Sequence, residues 1–325
     1  MRLFTEVDIP EYPFKINYKD ALFFAGSCFV ENIGGYLEAL NLPVIVNPFG
    51  IVYNPESIAH QMEMILQGKR YTEKDLIQKD NGLWFHYDFH GSFSELNAAE
   101  VLQTMNSSLE AAQKALKKAR YFFFTFGTAW IYLLRENGQT VSNCHKMPAT
   151  LFERKRLEVE EITSRFTQII QQIKRINPEA RFIFTISPVR HMKDGAIENM
   201  LSKAVLKVAV HHLIASRPDC YYFPAFEIMY DELRDYRFYE KDLIHLNDTA
   251  KEIILEKFLS AFYNSESRTV IDKLKKINKS VLHRPLFLDS PEHQAFLEKL
   301  ETSITNLEKE TGLSLEKFRQ KIKYQ

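Results

Sequence analysis

The chain has 325 residues, 45% of them hydrophobic, and 42 basic side chains balance 42 acidic ones for a formal net charge of zero. That is material for one large domain, or one domain with an appendage. It excludes a general electrostatic reason to hold nucleic acid or an anionic membrane surface. Cys28, Cys144 and Cys220 are widely spaced and contain no Cys-x-x-Cys pair. Neither a zinc site nor a disulfide framework is expected, and no metal or cofactor is implied. The first residues, MRLFTEVDIPEYPF, carry acids and prolines where a secretory leader needs an apolar core. Apolar runs such as YFFFTFGTAWIYLL are broken by Gly and Thr and are too short to span a bilayer. A soluble cytoplasmic protein is expected.

In chain order, ALFFAG (21–26) reads as a buried strand ending at a glycine, and 29–40 as a helix. LPVIVNPFGIVYNP (42–55) is extended, with a turn at Asn47 to Gly50. Pro55 suits the first turn of the next helix, where a missing N–H costs nothing, and that helix runs to about Gly68. Residues 71–94 are irregular and aromatic. A long amphipathic helix follows over 95–118. ARYFFFTFGTAW (119–130) is a second buried strand, and WIYLLRENGQTVSNC (130–144) a hairpin turning at Asn137-Gly138. Residues 153–176 read as a helix stopped at Asn177-Pro178. ARFIFTISPV (180–189) is a third strand, 196–216 a helix, CYYFPAFEIM (220–229) the seat of a fourth strand, and 248–262 a further helix. Residues 1–264 form the main domain on this reading. Beyond them, 265–325 are polar with periodic Leu and Phe: a helical C-terminal extension, packed on the body or on a partner subunit. The second case makes a homo-oligomer through these helices.

Short, wholly apolar strands alternating with amphipathic helices predict a three-layer α/β/α sandwich around a mainly parallel sheet. In such a sheet ligands sit beyond the carboxyl ends of the strands. Those ends are Gly26-Ser27, Gly127-Thr128, Ser187-Pro188 and the loop after Pro224, which are expected to cluster.

Ser27 stands at a strand-to-helix turn, where the free N–H groups of a helix N-terminus favour developing negative charge. The same position suits a plain capping serine, and a cap can also be a nucleophile. Cys28 is a competing nucleophile, since a thiol beside a helix N-terminus can have a lowered pKa. It is equally a small buried hydrophobe. A serine needs a base. In EKDLIHLND (240–248), Asp242 and His245 are three apart, which on a helical turn places both on one face. The carboxylate can then orient the imidazole as the acid of a triad does; a surface ion pair is the plainer alternative. His191 follows the strand TIS at the cleft rim. His145, with Asn143, offers polar groups for an oxyanion or a substrate. The ten histidines show no metal-binding spacing.

Several segments in order, GSCF (26–29), NPFGIVYNP (47–55), FGTAWIY (126–132), NCHKMP (143–148), SPVRHMKDG (187–195) and ELRDYRFYEKDLIH (232–245), resemble the GSCFA family. The resemblance covers roughly 20–262. That family is placed with the SGNH/GDSL hydrolases, whose fold is a flavodoxin-like α/β/α sandwich. It implies Ser27 as nucleophile, and Asp242 and His245 as acid and base. It also implies the N–H groups of Ser27 and Gly50 as oxyanion donors. Where the superfamily has Gly-x-Asn-Asp, this chain has Gly127-Thr128-Ala129-Trp130. Thr128, Asn143 and His145 stand as alternatives for the missing donor. His90, Trp130, His145, Arg190 and His191 are candidate substrate contacts. The implied activity is a serine acyl-ester hydrolase or acyltransferase acting on an acylated carbohydrate or other small ester. The alternative is a non-catalytic carbohydrate- or partner-binding module on the same fold.

Overall fold

The computed structural model describes residues 5–283 and 290–323. The central sheet has five parallel strands: β1 (Leu22–Gly26), β2 (Val44–Val46), β3 (Tyr121–Phe126), β4 (Arg181–Ile186) and β5 (Cys220–Tyr222). Their order across the sheet is β2-β1-β3-β4-β5. This is the flavodoxin-like order, and the direction of winding reverses between β1 and β3. A ligand crevice forms at such a reversal.

The strands are apolar throughout because both faces are covered. Successive side chains point to opposite faces. Leu22, Phe24, Tyr121, Phe123 and Ile183 enter one core, under α1 (Cys28–Ala39) and α6 (Asp248–Phe262). Phe23, Ala25, Phe122, Phe124, Phe182 and Phe184 enter the other. That one lies under α2 (Pro55–Gln67), α3 (Ala98–Lys118), α4 (Val159–Ile176) and α5 (Gly195–Ser216). Phe23 pairs with Phe122 and Phe122 with Phe182, and their rings stack at 5.4 and 5.5 Å. Phe24 and Phe123 stack on the other face at 4.6 Å. These ladders fix the register, since a one-residue slip would send every ring to the wrong side.

The expected helix stops are present. Pro55 occupies the first turn of α2, and Gly68 closes it in the left-handed conformation. One expectation fails. Residues 152–156 are a strand, not the start of a helix; Phe152–Arg156 pairs antiparallel with Trp130–Leu134, which also carries the expected hairpin to Thr140–Val141. FERKR is polar enough to read as a helix face. Here Arg154 and Arg156 both lie over the Trp130 ring, at 4.7 and 6.0 Å, so the period is two. The helix begins only at Val159, behind a capping box of Glu158 and Glu161.

Past residue 264 come α7 (Ser265–Val281), α8 (Pro291–Thr311) and α9 (Glu316–Lys323). Ile271, Leu274, Leu300, Ile304, Leu307 and Phe318 join the core beneath α1 and α6. Ser267 Oγ accepts the Tyr18 N–H at 3.0 Å. The extension thus packs on the body of its own chain. Residues 284–289 of that extension lie outside the described residues, as do 1–4 and 324–325. Among the described residues no helix is long and apolar enough to cross a membrane.

Gly26 has φ +143°, and a Cβ there would sit 2.3 Å from the Thr125 carbonyl oxygen. Gly26→Ala is expected to lower the free energy of unfolding measured in urea, by more than the ~1–3 kcal/mol of the backbone conformation alone. Gly35→Ala, in α1 with open space around it, is expected to raise it by ~0.5–1 kcal/mol.

Candidate active site

Ser27 caps α1, and its Oγ accepts the Phe29 N–H at a long 3.4 Å. The residue is 1% exposed. The strand end that carries it is tied from two sides. Asn47 Oδ1 accepts the Gly26 N–H at 2.8 Å, and the Gly26 carbonyl accepts the Val52 N–H at 3.1 Å. Gly50 turns with φ +79°, and a Cβ there would fall 2.3 Å from His90 Cβ. Its glycine identity therefore serves the turn and the packing of His90. The expected oxyanion amides have internal acceptors: Ser27 N–H donates to Thr125 at 3.3 Å and Gly50 N–H to Asn47 at 2.7 Å.

The other strand ends meet here as expected. The Tyr53 carbonyl accepts the N–H groups of Gly127 and Thr128 at 2.7 and 2.9 Å, and Ser187 N–H donates to Phe126. His191 packs edge-on against Tyr53 with centroids 4.9 Å apart. Its Nε2 is 3.5 Å from where a Cβ of Gly127 would stand. Burial, Lys203 and His245 hold its pKa down to about 4, so His191 is neutral at pH 7.

The sequence reading missed Lys203. This lysine of α5 is 1% exposed, and Nζ donates to the carbonyls of Gly127 and Ser187 at 2.6 and 2.7 Å. It links the ends of β3 and β4. Desolvation pulls its pKa down to about 7, against the weaker influence of Cys28. The signal was present: Lys203 stands in line with Leu206, Val210 and Leu213 on the buried stripe of α5, where an unpaired charge is costly. Cys28 reads as packing. Burial pushes its thiol pKa up, more than Lys203 and the helix amides pull it down.

Asp242 and His245 do pair, but not on a helix. They sit in a loop closed by a bridge between Tyr239 and Leu246. Asp242 Oδ1 accepts the N–H groups of Ile244 and His245, both at 2.9 Å. Its Oδ2 meets His245 Nδ1 at 2.6 Å. These hydrogen bonds, the His245 side chain first, hold the carboxyl at about pKa 2. Leu243 takes φ +59° to make the turn. Both side chains are solvent-exposed, and among the described residues neither His245 Nε2 nor Ser27 Oγ is hydrogen-bonded to the other.

The remaining candidates divide. Arg190 and His191 stand at the end of β4 and His90 against Gly50, all at the rim of this region. Thr128 is 7% exposed, and its Oγ1 serves Ser202 Oγ and the Trp130 N–H, both at 3.1 Å. Asn143 Oδ1 accepts the His145 N–H at 2.7 Å. His145 places its ring nitrogens on Ser94 Oγ and the His86 carbonyl, and packs on Phe85 at 4.3 Å. Burial holds it to a pKa of about 4. Thr128, Asn143 and His145 thus each hold internal hydrogen bonds in this structure. Trp130 belongs to the small sheet under Arg154 and Arg156. Among the described residues no group of three His, Cys, Asp or Glu side chains is placed to hold a metal.

Fold and site together define a doubly wound α/β protein with a serine at the sheet's reversal point and an Asp–His pair at the same end. The chain belongs to the GSCFA family: the family model matches residues 21–258, and the model of the GSCFA domain protein C-terminal domain matches 274–325. No curated protein matches it. Among solved structures it is similar to a proposed platelet activating factor from Streptococcus pneumonia, at 12% identity and TM-score 0.36, over 74% of this chain and 83% of that one. It is likewise similar to an acetyl xylan esterase from the rumen bacterium Butyrivibrio proteoclasticus, at 10% identity and TM-score 0.36. That match covers 78% of this chain and 64%, under two thirds, of the esterase. At these scores neither likeness assigns an activity.

Between pH 7 and the ordinary lysine value near 10.4, the unfolded chain holds a proton on Lys203 that the folded chain lacks. Its burial penalty is therefore full below about pH 7 and is relieved as the pH rises. Lys203→Met is expected to melt lower than wild type, with the gap widening from pH 6.5 to 9.5. Parallel melting curves across that range would remove this account of the lysine.

Proposed function

We propose that the chain is a serine-dependent acyl-ester hydrolase or acyltransferase. The observation that supports this reading is the hydrogen-bonded Asp242–His245 pair, which lies close enough to His191 to lower its pKa, at the sheet end where Ser27 caps α1. His245 Nε2 takes the Ser27 proton. Ser27 Oγ attacks the ester carbonyl, the alcohol leaves with a proton from His245, and water or a second hydroxyl then releases the acyl group. Asp242 keeps the imidazole in the tautomer that leaves Nε2 free to accept. Loop 240–246 has to approach Ser27 for the first transfer, a tightening that occurs with substrate in such sites. The N-terminal end of α1 gives this end of the sheet the positive potential that an oxyanion needs.

Ser27→Ala is expected to reduce p-nitrophenyl acetate turnover by at least ~10³-fold in a chain that stays folded, losing only the ~1 kcal/mol of the α1 cap, and His245→Gln by a similar factor. Equal rates in wild type and Ser27→Ala would sink the serine mechanism. With Asp242 held at about pKa 2, its ionisation stays complete above about pH 4. Asp242→Asn, which takes away the carboxylate that orients the imidazole, is expected to lower turnover at about pH 8 while the chain stays folded.

The second reading, a non-catalytic carbohydrate- or partner-binding module, is favoured by the internal acceptors of the Ser27 and Gly50 amides. It expects no labelling of Ser27 by a fluorophosphonate probe. A Ser27 adduct located by peptide mass spectrometry would eliminate it.

A further inference from the structure

A pocket of about 210 Å³ lies against the Asp242–His245 loop, walled by Arg190, Tyr230, Arg234, Tyr236, Tyr239 and Leu243. We propose that it binds an anionic group of the substrate, a carboxylate or a phosphate, through the guanidinium groups of Arg190 and Arg234. This names the substrate class for the catalytic reading above and rests on it for the word substrate.

The charges come first. Arg190 donates Nε–H to Tyr230 Oη at 2.7 Å, and its guanidinium lies 5.0 Å from the centre of the Tyr230 ring. Those two contacts hold the plane of the fork. Among the described residues its terminal nitrogens have no hydrogen-bond partner and no carboxylate within 4.0 Å. Among the described residues Arg234 has no carboxylate partner either. The one carboxylate on the pocket wall, Asp235, faces Arg237 at 3.4 Å and caps its N–H at 2.9 Å. Two arginines without a carboxylate partner among the described residues thus line one small concavity. Like charges so placed repel, and an anion between them relieves the repulsion while meeting a pre-set fork in two parallel hydrogen bonds.

The size is that of one group, below the ~300–1,000 Å³ of a whole small-molecule site. The place ties it to the reaction. Leu243, one residue from Asp242 and two from His245, forms part of the wall, and Arg190 is the neighbour of His191. An anion seated here belongs to a molecule whose ester lies within reach of the imidazole. Tyr236, 76% exposed, and Tyr239, with ring centroids 6.3 Å apart, offer a surface on which a sugar ring can lie beside the anion. Acylated uronic acids and acylated sugar phosphates both meet that description.

The test is binding to the full chain, followed by ligand-observed NMR, of methyl glucuronoside, glucose 6-phosphate and methyl glucoside. At least one anion is expected to bind, and the neutral glycoside at least about tenfold more weakly. Arg190→Gln and Arg234→Gln, with melting temperatures checked, are expected to weaken anion binding by about 10–100-fold each. Arg190→Lys, which keeps the charge and loses the fork, is also expected to bind more weakly than wild type. Binding of the carboxylate alone assigns the uronic acid, of the phosphate alone the sugar phosphate. Absence of anion binding, or equal binding of the neutral glycoside, overturns the proposal. Turnover separates the two readings. Anion binding by a chain that hydrolyses no ester leaves the pocket standing and removes the serine mechanism. Ester hydrolysis that is equal for acetylated methyl glucuronoside and acetylated methyl glucoside does the reverse.

Discussion

One contact between two backbones sets the geometry of this protein. At Gly26 the end of β1 comes so near Thr125 that no side-chain carbon fits between them. The close approach lets the chain leave the sheet at once, with Ser27 still beside β3 and already capping α1. Asn47 and Val52 then bind the Gly26 peptide from the β2 side. The serine is thereby fixed between the two strands where the winding reverses. A residue larger than glycine would separate those strands, and the serine would lose both its helix terminus and its neighbours across the crevice.

Much of this was legible in the amino-acid order because local signals and burial agreed. The apolar strands, the glycine after ALFFA, Pro55 and Gly68 around α2, and Asn137-Gly138 in the hairpin each reflect a local rule that tertiary structure leaves intact. The strand ends cluster as parallel topology requires. What escaped depends on partners distant in sequence. Phe152–Arg156 is a strand only because Trp130 lies under its arginines. Asp242 and His245 are paired through a turn with a left-handed leucine, so the three-residue spacing was right and the helix was wrong. No spacing rule shows that the Gly50 N–H is taken by Asn47, or that His145 has a carbonyl and a hydroxyl waiting for its ring. Lys203 could have been seen as a charge on an apolar stripe, but its acceptors are the ends of two strands far from it in sequence.

Positive groups are concentrated at the sheet end. The N-terminus of α1 and the side chains of Arg190 and Arg234 stand there, in a chain whose net charge is zero. Neutral composition thus conceals a local field. Such a field lowers the energy of an alkoxide or tetrahedral oxyanion without any single donor having to supply it all.

In the proposed mechanism the Asp242–His245 loop has a kinetic meaning. Its carboxylate binds two amides and the imidazole of the same short loop, and the Glu240 N–H returns to the His245 carbonyl at 2.8 Å. Acid and base are consequently aligned with each other by local bonds alone, whatever the position of the loop over the sheet. In that mechanism the pair would approach the serine as one unit, a cassette with its proton arrangement already set. One coordinate, the separation of the imidazole from the serine, is left to join binding to bond-making, and residues far from either partner can tune the rate by shifting the cassette.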